Sequence, residues 1–81
     1  MEYWHSICPS CNQGRLFVMS IENSDIPFLL CEECEYAWAS PEEIDLRVHF
    51  DFQGLGIRRA EKDDIERAGW FRFALTAANE S

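Results

Sequence analysis

Cys8-Pro9-Ser10-Cys11 and Cys31-Glu32-Glu33-Cys34 are the two stretches on which the reading of this chain turns. Each is a pair of cysteines with two residues between them, and nineteen residues separate the pairs. A two-residue spacer lets both thiolates of one tight turn face a common centre, and two such turns close a tetrahedron around a metal ion. The separation falls within the pattern of two C-x-x-C pairs about 15–20 residues apart that marks zinc sites. Disulfides would require an oxidising compartment, of which the sequence carries no sign. A redox C-x-x-C usually opens a helix after a strand, whereas here two pairs mirror one another. Cys8, Cys11, Cys31 and Cys34 are therefore the expected ligands of one structural Zn²⁺. His5 stands three residues before Cys8 at a ligand-like spacing, an alternative that would leave one cysteine free.

Size makes a metal useful. The chain has 81 residues, and a domain of this length buries only ~60% of its unfolded surface, so a staple besides the core is expected. With 47% hydrophobic residues it is too apolar to be disordered. Fifteen acidic residues against seven basic ones give a formal charge of −8, which argues against coating nucleic acid or an anionic membrane. Lys62 is the single lysine. The longest apolar run, Pro27–Cys31, is far short of a membrane span of ~20 residues. A soluble, cytoplasmic protein with no membrane partner is expected.

Around the cysteines the pattern is that of strands. Arg15–Ile21 (RLFVMSI) is rich in strand formers, Glu22-Asn23-Ser24-Asp25 is a polar turn, and Pro27–Cys31 returns the chain to the second pair. Tyr36–Ala39 reads as a third short strand with Tyr36 and Trp38 on one face. Pro9 stiffens the first cysteine turn, and Asn12 follows Cys11 where a left-handed conformation is easily tolerated. Glu35, rather than glycine, occupies the matching place after Cys34.

Residues beyond 39 carry mixed signals. Ser40-Pro41-Glu42-Glu43 is a helix start with serine at N-cap and glutamate at N3. Ile44–Phe52 then alternates apolar and polar residues, which predicts one helical turn at 41–44 followed by a strand at about 45–52. Ile44, Val48 and Phe52 also fit a helical face, so a helix through Val48 is the alternative. Glu61–Ala68 reads as a helix, with Asp63 and Arg67 in the favourable i, i+4 orientation and Gly69 as its left-handed stop. Trp70 is expected to pack back on that helix. The predicted organisation is one small α+β domain over 1–81, with a metal-bound ribbon at 7–39 and a strand-helix extension at 40–78 packed on it.

Ile7–Trp38, with its two cysteine pairs separated by a hairpin-length insert, resembles the zinc ribbon family and is similar to the metal-binding knuckles of rubredoxin-like domains. The resemblance covers about half the chain. It implies a three-stranded antiparallel sheet with the metal between two knuckles, to which a further strand and a C-terminal helix are added here. It assigns Cys8, Cys11, Cys31 and Cys34 as ligands and nothing else, and it speaks to fold more than to function.

Four cysteines close the metal shell, so the site is read as structural and the chain as non-enzymatic, without a small-molecule substrate. Five of the seven basic residues, Arg58, Arg59, Lys62, Arg67 and Arg72, lie within fifteen positions but are interleaved with acids, which favours an ion-paired surface over nucleic-acid binding. Acidity is biased to the first forty residues, with six acids and one base, and Glu32, Glu33 and Glu35 cluster beside the second cysteine pair. Four thiolates on one Zn²⁺ would add about −2 to this surface. The expected role is a protein-interaction module with a basic partner, Glu32, Glu33 and Glu35 forming a contact patch. In size and charge the chain is similar to bacterial antitoxin and immunity proteins. A zinc ribbon associated with transcription or nucleic acid, and a rubredoxin-like iron electron-transfer protein, are the other readings.

Overall fold

The computed structural model describes residues 2–24, 26–46, 49–52 and 54–78, with Asp45 and Leu46 described by their backbone alone. Its centre is the strand-former run: β2 (Arg15–Ile21) pairs antiparallel with β3 (Pro27–Cys31) in a continuous register from Leu16 opposite Cys31 to Ser20 opposite Pro27. Asn23, at φ 64°, lies in the turn between them. The two-residue strand β4 (Ala37–Trp38) lies on the far side of β3, so β2, β3 and β4 form three adjacent antiparallel strands as expected.

Residues that showed no strand signal complete the sheet. β1 (Glu2–Ile7) pairs with β2 near its start, Trp4 opposite Phe17 and Ile7 opposite Arg15, and the C-terminal β6 (Thr76–Ala78) pairs with the outer side of β1. β5 (Ile57–Arg59) pairs with the other end of β2, at Met19–Ile21. The six strands therefore form one antiparallel sheet in the order β4-β3-β2-β1-β6, with β5 joined to β2. A ribbon extended by one strand is corrected to a six-stranded sheet.

The second correction concerns residues 44–52. Helix α1 runs from Pro41 to Leu46, so the helical start signal outlasts the single turn expected of it. Residues 47 and 48 lie outside the described residues, and 49–52 form no strand. The alternation there serves packing instead. Phe50 and Phe52 lie against Phe28, with ring centroids at 5.0 and 5.7 Å, while His49 and Asp51 are exposed. One main-chain bond, from the Phe50 N–H to the Ala37 carbonyl at 2.6 Å, ties this segment to the β4 edge. A two-faced segment needs period-2 patterning whether or not it pairs into a ladder.

Both faces of the sheet are covered, which explains why RLFVMSI is an apolar run rather than an alternating one. Leu16, Val18, Leu29, Cys31 and Trp38 pack with Ala60, Ile65 and Trp70 on one face. Phe17, Met19 and Phe28 pack on the other with Trp4, Phe50, Phe52 and Ile57. Helix α2 (Lys62–Ala68) covers the first face with Ile65, and Gly69 ends it at φ 72°, as its position predicts. Trp70 opens a 3-10 turn (Trp70–Phe73) and is buried beside Ile65. Among the described residues, no helix is long and apolar enough to cross a membrane.

Asp64 anchors this half of the molecule. Its carboxylate is 6% exposed and accepts hydrogen bonds from Arg58 (2.8 and 3.3 Å), from Arg67 (2.7 Å) and from the Glu61 N–H (2.9 Å). Glu61 and Asp64 thereby complete a capping box at the start of α2. The Arg58 guanidinium, with the Glu61 N–H, holds the Asp64 carboxyl at about 2. Because the folded value lies below the unfolded one, the stabilisation is present above pH ~4 and is lost as the pH falls toward the folded value. Asp64→Asn is expected to cost about 1–3 kcal/mol, since it leaves Arg58 and Arg67 without their charged acceptor. Thermal melts of the metal-loaded proteins should show that deficit unchanged from pH 8 to pH 5; a deficit that shrinks within that range would contradict the assignment.

Candidate metal centre

The ends of β1 and β2 bring the first cysteine turn to the same side as the second, which sits between β3 and β4. Each turn is closed by its own main chain. The Cys8 N–H donates to the Gly14 carbonyl (2.8 Å) and the Asn12 N–H to the Cys8 carbonyl (2.9 Å), while the Cys31 N–H donates to the Tyr36 carbonyl (2.9 Å). The residue after each second cysteine is left-handed: Asn12 at φ 57° and Glu35 at φ 62°. The two turns are thus alike in backbone although only the first carries a residue suited to that conformation.

The four Sγ atoms lie within 4.8 Å of one another. Cys8 meets Cys34 and Cys11 meets Cys31 at 3.6 Å, two contacts that share no atom and so form opposite edges of a tetrahedron. Zn–S bonds of about 2.3 Å imply S···S edges of about 3.8 Å, so this spacing fits a tetrahedral metal ion. It is far beyond the ~2.05 Å of a disulfide, and all four cysteines are free thiols. Cys8 and Cys31 are buried, Cys11 and Cys34 half-buried. His5 stands apart from this group: its Nδ1 lies 2.9 Å from the Ser6 hydroxyl, and burial lowers its basicity.

Backbone amides point at the sulfurs. Gly14 donates to Cys11, and Glu33 and Cys34 donate to Cys31, each at 3.4 Å. The Gly14 and Gln13 amides lower the Cys11 thiol to about 6. Burial pushes Cys31 up and Cys34 up to about 12. Four sulfurs this close cannot all carry charge without a cation between them, and a soft, all-sulfur tetrahedral set is the donor set of zinc or iron.

Gly14 is required for space. A Cβ there would stand 2.6 Å from the Cys31 sulfur and 2.9 Å from Cγ of Glu33, so the two turns touch through a glycine. A second tie runs beside it. Glu32 accepts from the Arg15 main-chain N–H (2.9 Å) and from its guanidinium (2.8 and 3.2 Å), and the Glu32 N–H donates to the Arg15 carbonyl (3.1 Å). Arg15 accordingly holds the Glu32 carboxyl below the usual range.

The acidic patch read from the sequence therefore divides. Glu32 is committed to Arg15, whereas Glu33 and Glu35 are exposed and meet no cation among the described residues. The basic cluster is ion-paired: Arg58 and Arg67 with Asp64, Arg59 with Glu2, Lys62 with Glu66, and Arg72 with Glu42. Adding Arg15, all six basic residues among the described ones face a carboxylate within 4 Å. What the sequence reading missed is a pair of surface recesses of about 350 and 380 Å³, the first lined by His5, Ser6 and Phe73 and the second by aromatic residues near Cys8 and Cys11. No local motif announces them, because their walls come from segments far apart in the chain.

In comparisons with known proteins, no family model, no curated protein and no solved structure matches this chain.

Two substitutions test the geometry of the turns. Gly14→Ala should lower zinc affinity at least tenfold in a chelator competition, because the new methyl displaces a ligand sulfur; unchanged affinity would show that the turns do not meet there. Glu35→Gly should do the opposite for stability. Relief of a left-handed residue, roughly 1–2 kcal/mol, outweighs the ~0.5–1 kcal/mol entropic cost of glycine, so the melting temperature should rise by a few degrees.

Proposed function

We propose that Cys8, Cys11, Cys31 and Cys34 hold one structural Zn²⁺, and that this chain is a non-enzymatic, zinc-ribbon-type module that binds a basic protein partner. The observation that carries the metal is the convergence of four sulfurs, two from each turn, within 4.8 Å of one another. Zinc suits the site because it takes four thiolates in a tetrahedron and needs no redox chemistry. Four sulfur ligands fill that shell and leave no open position for water or substrate, which is the arrangement of a structural rather than a catalytic site. The hairpin of β2 and β3 with the short β4 beside the cysteine turns supports the likeness to a zinc ribbon.

Charge supports the partner. The described cations are all engaged with carboxylates, while Glu33 and Glu35 extend from the second turn beside a centre of charge about −2. A surface of this kind repels nucleic acid and attracts cationic proteins with fast, steered association. A cationic toxin held by an immunity-type inhibitor is one partner of that chemistry.

Metal analysis of the purified protein should return one zinc per chain. Removing it with a strong chelator should abolish the near-ultraviolet circular dichroism and the cooperative melt, since zinc binding in small domains is worth an apparent ~10–16 kcal/mol. Cys31→Ser should behave like the metal-free protein. Iron in place of zinc would point to electron transfer, and a spectrum unchanged after complete metal removal would defeat the structural role.

A further inference from the structure

The larger recess, about 380 Å³, opens beside the first cysteine turn. Pro9 and Ser10 form one wall, and Tyr36, Trp38, Ile44 and His49 form the others. Its volume is at the low end of the roughly 300–1,000 Å³ of ligand pockets, room for one long side chain. Three rings shape it. Tyr36 and His49 stack at 4.4 Å and 16°, and both meet Trp38 nearly at right angles, with centroids 6.4 and 5.3 Å away. Trp38 is 2% exposed and is a fixed element of the core, whereas Tyr36 is 45% exposed. His49 is exposed as well.

Two features of this recess suit a cation. Ring faces carry negative electrostatic potential and attract ammonium and guanidinium groups. Pro9 and Ser10 also lie between Cys8 and Cys11, two of the four clustered cysteines, so a metal held by those four sulfurs would put a charge of about −2 on the turn that forms this wall. Glu35, the residue before Tyr36 and outside the lining itself, is exposed. Guanidinium groups already rest on rings elsewhere in this molecule: Arg15 and Arg59 over Phe17 at 4.8 and 4.0 Å, and Arg72 over Phe73 at 4.4 Å. The six described cations are paired with carboxylates, and none of them lines this recess.

We infer that this recess seats an arginine side chain of the basic partner, the guanidinium against Tyr36 and His49 and the methylenes against Trp38 and Ile44. The inference rests on the proposed binding of a basic protein and names its point of anchorage. Arginine is favoured over lysine because its planar, weakly hydrated head stacks on rings and loses less on leaving water.

The test uses the full-length, zinc-loaded protein and three blocked peptides of one sequence carrying arginine, lysine or the neutral isostere citrulline. The arginine peptide should bind saturably, shift the resonances of Tyr36, Trp38 and His49, and bind at least tenfold more tightly than the citrulline peptide. Tyr36→Ala should weaken it about five- to tenfold at full zinc occupancy, and Tyr36→Phe should restore it. Equal binding of arginine and citrulline peptides would overturn the inference. Arginine and lysine peptides binding alike, with a steep salt dependence and no effect of Tyr36→Ala, would overturn it while leaving the acidic-surface reading in place. Failure of both cationic peptides to bind would remove that reading together with the inference.

Discussion

Four sulfur atoms converging within 4.8 Å is the constraint around which the rest of this small structure is arranged. Burial raises the thiols of Cys31 and Cys34, and amides lower that of Cys11, so without a cation the group is electrostatically divided against itself. A divalent ion bound there would resolve the conflict by making all four sulfurs anions at once. The backbone is prepared for that outcome. N–H groups aim at the sulfurs, both turns accept a left-handed residue after their second cysteine, and Gly14 lets them approach to contact. Local strain at Glu35 is tolerated because the surrounding bonds over-determine the turn.

The sheet shows how a short chain makes the most of little material. Burying β2 and β3 on both faces yields two apolar clusters from two central strands, one under α2 and Trp70 and one under Phe50 and Phe52. The first and last described strands, β1 and β6, pair with one another at the β2 side of the sheet. Charges follow a similar economy. Cations are used internally, at Arg15 against Glu32 and at Arg58 and Arg67 against Asp64, while Glu33 and Glu35 are left exposed at the second cysteine turn. That separation is what joins the metal site to the proposed partner, since the same turns that hold the thiolates also form a wall of the aromatic recess.

Reading the chain residue by residue was enough for the pairing of the cysteines into two turns, the β2–β3 hairpin, the start of α1, and helix α2 with its Gly69 stop, because each rests on short-range chemistry. Spacing within a turn, a capping residue and a run of strand formers act over a few positions and leave a local trace. Long-range assembly set the remainder. β1 and β6 are strands because β2 and each other offer them hydrogen bonds. The alternation at 49–52 serves aromatic packing on Phe28, with one main-chain bond to the β4 edge among the described residues instead of a ladder. Glu32 looked like its neighbours Glu33 and Glu35 until the fold placed Arg15 beside it. The recess of Tyr36, Trp38 and His49 likewise exists only where distant segments meet. Thiolate chemistry is written in the order of residues, whereas a salt link, a strand pairing or an aromatic pocket is a matter of which surfaces the folded chain brings within a few ångströms.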